Sequence, residues 1–196
     1  MLRQLALPVL AMAAIVVASN ILVQHPFPHW GLGDYLTWGA FTYPVSFLVT
    51  DLTNRRYGVG TARRLVAVGF VLAVVLSVAL ATPRIALASG TAFLVGQMLD
   101  VTVFDGLRRQ SWWRAPLAGS LIGSALDTAL FFSLAFAGDP EMAANVPFLG
   151  FGPLPLWVSL AICDFGVKVA IALLALLPYG ALLRVVRPVE TAGQPS

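Results

Sequence analysis

Charge is what this chain has least of. Only 11% of its 196 residues are Asp, Glu, Lys or Arg, against 59% apolar types, where a soluble domain carries about 25% charge. So little charge cannot cover a water-facing surface. A mean hydropathy of +0.86 agrees, and the chain reads as an integral membrane protein. Cysteine is nearly absent: Cys163 stands alone inside an apolar run, which excludes an internal disulfide framework. Histidine is nearly absent too, with His25 and His29 both in one polar stretch. There is no CxxC, no phosphate-binding Gly-Lys-Ser/Thr and no GxSxG. No catalytic residue, metal site or cofactor is therefore expected, and the chain does not read as an enzyme. The excess of basic residues, with a pI near 9.5, would suit nucleic acid. These residues instead sit between apolar runs as topology signals, so no nucleic-acid partner is expected.

What remains is apolar sequence in six runs: 5–23, 35–50, 65–81, 85–104, 115–137 and 156–177. Each approaches the roughly 20 residues of a membrane-spanning helix. Lipid tolerates no open backbone hydrogen bonds, and the runs are too long for barrel strands. The expected fold is all-α, a polytopic membrane protein of six transmembrane helices. Residues 1–187 form a single domain and 188–196 a disordered cytoplasmic tail. The second run is short and rich in Thr, Tyr and Gly. Arg3, the apolar stretch and Ala18 imitate a signal peptide, but a retained first helix closes the charge pattern.

That pattern is asymmetric. Arg3, Arg55, Arg56, Arg63, Arg64, Arg108, Arg109, Arg114, Arg184 and Arg187 fall on one side, Arg84 alone on the other, and Lys168 lies inside a span. The positive-inside rule then puts both termini in the cytoplasm. Asp51 is expected to close the second span, with Gly58 and Gly60 marking a turn before the third. The long loop 138–155 carries Phe148 and Phe151, which are expected to dip back toward the interface.

Asp100, Asp127, Asp164 and Lys168 lie within predicted spans. A charge at the bilayer centre costs roughly 2.5–3.5 kcal/mol on insertion scales, so these residues must face an interior or a watery cavity. Gly96, Asp100 and Phe104 repeat the spacing of Gly123, Asp127 and Phe131, each triplet on one helix face. Duplication and convergent packing both produce such a repeat. Gln97 stands one turn before Asp100, and the pair either contacts a ligand or ties helices together. Asp164 and Lys168 have the favourable i, i+4 order, either as a self-satisfied pair or as one that opens. Thr128 is expected to bond back to its own helix. Gly119, Ser120, Gly123 and Ser124 suit a packing seam. Asp51, with Phe47 and Asn54, is expected to line an inner mouth or to cap a short helix.

Asp51-Leu52-Thr53-Asn54, Tyr57-Gly58 and Ala62-Arg63 resemble the acid–Leu–Thr–acid, Tyr–Gly, Ala–Arg signature of the vitamin-uptake-like membrane family described as queuosine precursor transporters. Gln97 with Asp100, and Asp127 with Thr128, match that family's polar fourth and fifth helices, and Lys168 a basic residue of its last. Asn54 stands where many relatives carry Glu. The resemblance spans about 20–184. It implies a six-helix inner-membrane importer of 7-cyano-7-deazaguanine or 7-aminomethyl-7-deazaguanine that works without an ATPase module. A distant likeness to the substrate-binding subunits of energy-coupling vitamin transporters implies the alternative, a subunit needing a separate ATPase module. The implied partners are a deazapurine and the lipid bilayer, with room for a homodimer. A deazaguanine offers N1–H and an amine side by side, which one carboxylate can accept. Asp100 or Asp127 is then expected to read that edge, Gln97 the carbonyl, and Phe104 or Phe131 to cover the ring. Asp164 and Lys168 complete the expected substrate site.

Overall fold

The computed structural model describes residues 2–148, 152–183 and 186. The chain is an all-α polytopic membrane protein. Five helices are long and apolar enough to span a bilayer: α1 (Leu2–Leu22), α4 (Val59–Leu80), α5 (Pro83–Leu107), α6 (Arg114–Phe136) and α7 (Leu156–Leu182). A shorter pair, α2 (Trp38–Thr42) and α3 (Val45–Tyr57), stands between α1 and α4. A single turn of 3-10 helix, His29–Gly31, lies in the loop before α2. Two three-residue strands, β1 (Asn145–Pro147) and β2 (Pro153–Pro155), pair antiparallel before α7.

The expected second span, 35–50, is not one helix. It breaks at Tyr43–Pro44 and continues to Tyr57, because proline has no N–H for the helical ladder. Asp51 therefore closes nothing. It sits in the middle of α3, 1% exposed. Gly58, at φ 82, turns α3 directly into α4, its N–H donating to the Asn54 carbonyl at 2.8 Å. Gly60 lies within α4. Arg55, Arg56, Arg63 and Arg64 thus ride on two abutting helix ends rather than in a loop. Arg184, Arg187, Phe151 and the expected tail 188–196 lie outside the described residues, and of Arg3 only the helical backbone is described. Phe148 is buried, its ring edge-on to Tyr35.

Neighbouring spans pack in sequence: α1 on α4, α4 on α5, α5 on α6, and α6 on α7, with α5–α6 the most extensive pairing. The short helix α3 touches α1, α4, α5, α6 and α7, so the most polar helix is the central one. Its Ser46, Thr50, Asp51, Thr53 and Asn54 are all buried. Outside, Leu7, Leu10, Val75, Val78, Leu87, Leu174 and Leu177 are exposed, as lipid-facing side chains should be.

Candidate functional site

The repeated glycine–aspartate spacing is a crossing point. A Cβ on Gly96 would lie 2.8 Å from the Asp127 Cβ, and one on Gly123 would lie 3.0 Å from the Asp100 Cβ and 2.8 Å from the Gly96 carbonyl. Each aspartate packs on the other helix's glycine. Small residues allow such backbone approach in membranes. Since α5 and α6 run in opposite directions, Asp127 lies toward the His25 end of the bundle and Asp100 toward the Arg55 end.

Asp127 anchors a dense ionic cluster. Lys168 Nζ on α7 is 2.7 Å from Asp127 Oδ2 and 2.5 Å from Asp164 Oδ2. It also donates to Thr128 Oγ1 at 2.9 Å, and that hydroxyl donates to Asp164 Oδ2 at 2.9 Å. Thr128 thus joins α6 to α7 instead of bonding back to its own helix, because Lys168 and Asp164 supply stronger, charged partners. Tyr43, at the α2–α3 break, donates to Asp127 Oδ1 at 2.8 Å, and Lys168 lies 5.4 Å from the Tyr43 ring centre. Two carboxylates against one ammonium leave this cluster formally negative.

The cluster forms the floor of a cavity of about 510 Å³, within the usual 300–1,000 Å³ range of small-molecule sites. The cavity occupies the His25 end, between α1, the loop 33–37 and the adjoining halves of α4, α5, α6 and α7. Its wall is aromatic and apolar, including Phe93, Phe131, Phe132 and Phe136, with Ser19, Asn20, Ser77 and Ser89 as polar points. Tyr35, on the same wall, donates to the Pro147 carbonyl at 3.1 Å, tying the two loops at this end.

Below the floor the bundle is tight. Gln97, fully buried, donates through Nε2 to Ser46 Oγ at 2.7 Å and accepts at Oε1 from Thr50 Oγ1 at 2.8 Å. Asn54 donates to the Val101 carbonyl at 3.1 Å. Asp51 and Asp100 are buried without an ion pair among the described residues. A void of about 10 Å³ lies between α3, α6 and α7, lined by residues that include Phe47, Asp51, Ser120, Ser124, Lys168 and Tyr179. Lys168 borders both this void and the large cavity.

Of the expected substrate residues, Asp127, Phe131, Asp164 and Lys168 meet at one cavity. Gln97, Asp100 and Phe104 lie beneath the floor, Phe104 edge-on to Tyr179 at 6.4 Å. Of the two acids expected to read the donor edge, Asp127 lines that cavity and Asp100 does not. Ser120 and Ser124 of the expected packing seam border the void. Tyr43 and Asn20 were not expected. A tyrosine before Pro44, where a helix must break, was the available signal for the first. The second has none, since Asn20 meets Ser77, 57 residues away, only in the fold.

The family model described as "Putative vitamin uptake transporter" matches residues 37–82 and 76–182. The "Queuosine precursor transporter" of Escherichia coli (strain K12) is 36% identical over 193 residues, covering 86% of this chain and 81% of its own length. The chain belongs to the queuosine precursor transporter family. The "Probable queuosine precursor transporter" of Haemophilus influenzae is 35% identical over 206 residues (88% and 83%), and that of Bacillus subtilis (strain 168) is 28% identical over 191 (83% and 77%). No solved structure matches the chain. As a family member the chain is a multi-pass protein of the bacterial inner membrane, and a transporter rather than an enzyme.

Proposed function

We propose that this transporter imports a queuosine precursor, 7-cyano-7-deazaguanine or 7-aminomethyl-7-deazaguanine, by alternating access, and that the Asp127–Lys168–Asp164–Tyr43 cluster is its binding site. The observation that carries this reading is a net-negative, hydrogen-bonding floor beneath an aromatic cavity of about 510 Å³. A flat deazapurine stacks on Phe131, Phe132 or Phe93. Its N1–H and exocyclic amine meet a carboxylate, and its carbonyl accepts from Lys168 or Tyr43. Asp164 suits the donor edge: both its cluster bonds use Oδ2, and its side chain keeps 16% exposure. A protonated aminomethyl group would be drawn by the same negative floor.

The topology that goes with this reading has six crossings, with α2 and α3 together making the second and both termini cytoplasmic. Arg55, Arg56, Arg63, Arg64, Arg108, Arg109 and Arg114 cluster at one end. Arg84 at the other is occupied with the Leu134 and Ala137 carbonyls, at 2.9 and 2.5 Å. The cavity then faces outward and the packed half faces the cytoplasm, which is the outward-facing state of an importer whose site lies near the midplane.

The test is complementation in cells lacking precursor synthesis and their own importer, read as queuosine in tRNA at low external precursor. Wild-type protein restores the base; D127N and D164N at equal membrane abundance do not. Normal restoration by both variants would overturn the site, and failure of the wild type would overturn the substrate.

A further inference from the structure

Beneath the floor lies a second polar group to which the import reading gives no role. Asp51 Oδ1, Asn54 Oδ1 and both carboxylate oxygens of Asp100 are buried without a hydrogen-bond partner among the described residues. These side chains are at most 1% exposed. Asp51 and Asn54 stand one turn apart on α3, and Asn54 is hydrogen-bonded to the α5 carbonyl of Val101, the residue after Asp100, which fixes this stretch of α3 against the Asp100 turn. All four orphaned oxygens are acceptors if the carboxyls are ionised. A buried acceptor with nothing to accept costs roughly 1–3 kcal/mol, more when charged; two buried donors nearby, Arg55 Nε and the Tyr179 hydroxyl, have no hydrogen-bond partner among the described residues either and so do not satisfy these oxygens.

The surroundings limit what that donor can be. From α6, Ser120 lines the void together with Asp51, and Gly119 is so close that a Cβ there would lie 2.5 Å from Asp100 Oδ1. From α7, Tyr179 and Lys168 border the void beside Asp51, but the Lys168 ammonium is held by Asp127 and Asp164. On α3 itself Arg55, one turn beyond Asp51, makes no ion pair with it among the described residues. Arg63 and Arg64 on α4 are exposed, and Asp105 on α5 pairs with Arg108 at the surface. The void of about 10 Å³ holds about one water, and among the described residues no group of three or more His, Cys, Asp or Glu is placed to hold a metal ion. A proton fits there, since it needs no volume.

We propose that Asp51 and Asp100 together hold one proton in this sealed half, and that the proton is imported with the substrate. One carboxyl takes the proton as an O–H and donates it to a facing acceptor, which neutralises half of a buried like-charge pair. The route from the cavity runs past Lys168 and through the water-sized void to Asp51. Closure of the cytoplasmic half requires the proton; opening that half hydrates the pair and lets the proton leave to the cytoplasm. The proton site deepens the import reading and rests on it only for the direction in which substrate and proton move.

Two measurements separate the two ideas. Infrared spectra of the full chain in lipid nanodiscs at neutral pH should contain a protonated-carboxyl C=O band that D51N and D100N lose and D105N keeps. A spectrum unchanged in both D51N and D100N overturns the proton site, whatever the substrate. In proteoliposomes with the membrane potential clamped at zero, an outside more acidic by about one pH unit should drive about tenfold accumulation of 7-cyano-7-deazaguanine if one proton accompanies each molecule. D51N should equilibrate the precursor without accumulating it. Wild-type uptake that stops at equal concentrations overturns co-transport and leaves the import reading standing. No wild-type uptake at all overturns the import reading, and the infrared band then decides the proton site alone. If the Asn variants do not fold, the wild-type accumulation ratio still decides co-transport.

Discussion

Asp127 and Asp100 occupy matching places on α6 and α5, each four residues after a glycine and each packed against the opposite helix. Their surroundings differ completely. Asp127 accepts from Lys168 and Tyr43 and faces a cavity. Asp100 has no hydrogen-bond partner among the described residues and faces Gly119. The difference comes from the helices that cover the crossing. At the His25 end α7 presents Asp164 and Lys168, while α2 is only five residues long and leaves space. At the Arg55 end α3 fills the centre with small polar side chains. A single local pattern thus yields an open, charged half and a closed half whose buried carboxylate oxygens lack hydrogen-bond partners among the described residues.

The largest expected effect comes from removing the cation that holds the open half. K168M leaves Asp127 and Asp164 facing each other unpaired, and breaking a buried pair in this way costs about 3–5 kcal/mol. Thermal unfolding in detergent should show a large loss of stability together with loss of uptake. A stable, active variant would mean that the floor is not ionic. D127N removes charge but keeps shape. With a charge-assisted bond worth about 1.5–3 kcal/mol, precursor affinity should fall about ten- to hundredfold, as read by equilibrium binding. Q97L probes the closed half, where an interhelical bond is worth about 1–2 kcal/mol. It should lower the melting temperature, and a loss of affinity exceeding that of D127N would reverse the roles of the two halves. Y43F has the smallest expected effect. One neutral hydroxyl donor contributes about 1 kcal/mol, so affinity should fall about fivefold, and an unchanged Kd would remove Tyr43 from the floor.

Asp127, Asp164 and Lys168 were legible as interior residues because a charge in an apolar run has few uses other than an interior one. Asp100 gives the same signal, yet its destination depends on which helix lies over it, and α3 comes from residues far away in sequence. The run 35–50 was legible as apolar but not as broken, since its hydropathy records composition while Pro44 acts on backbone hydrogen bonding.

The amino-acid order alone determined the solvent: 59% apolar residues and 11% charged ones demand lipid around long helices, and the arginines rank the two ends. Only the tertiary structure decided which acids share a cavity. Periodicity specifies the face of one helix, whereas a cavity is the space that several helices leave between them, and here that space depends on where α2 stops and how closely two glycines let α5 and α6 approach.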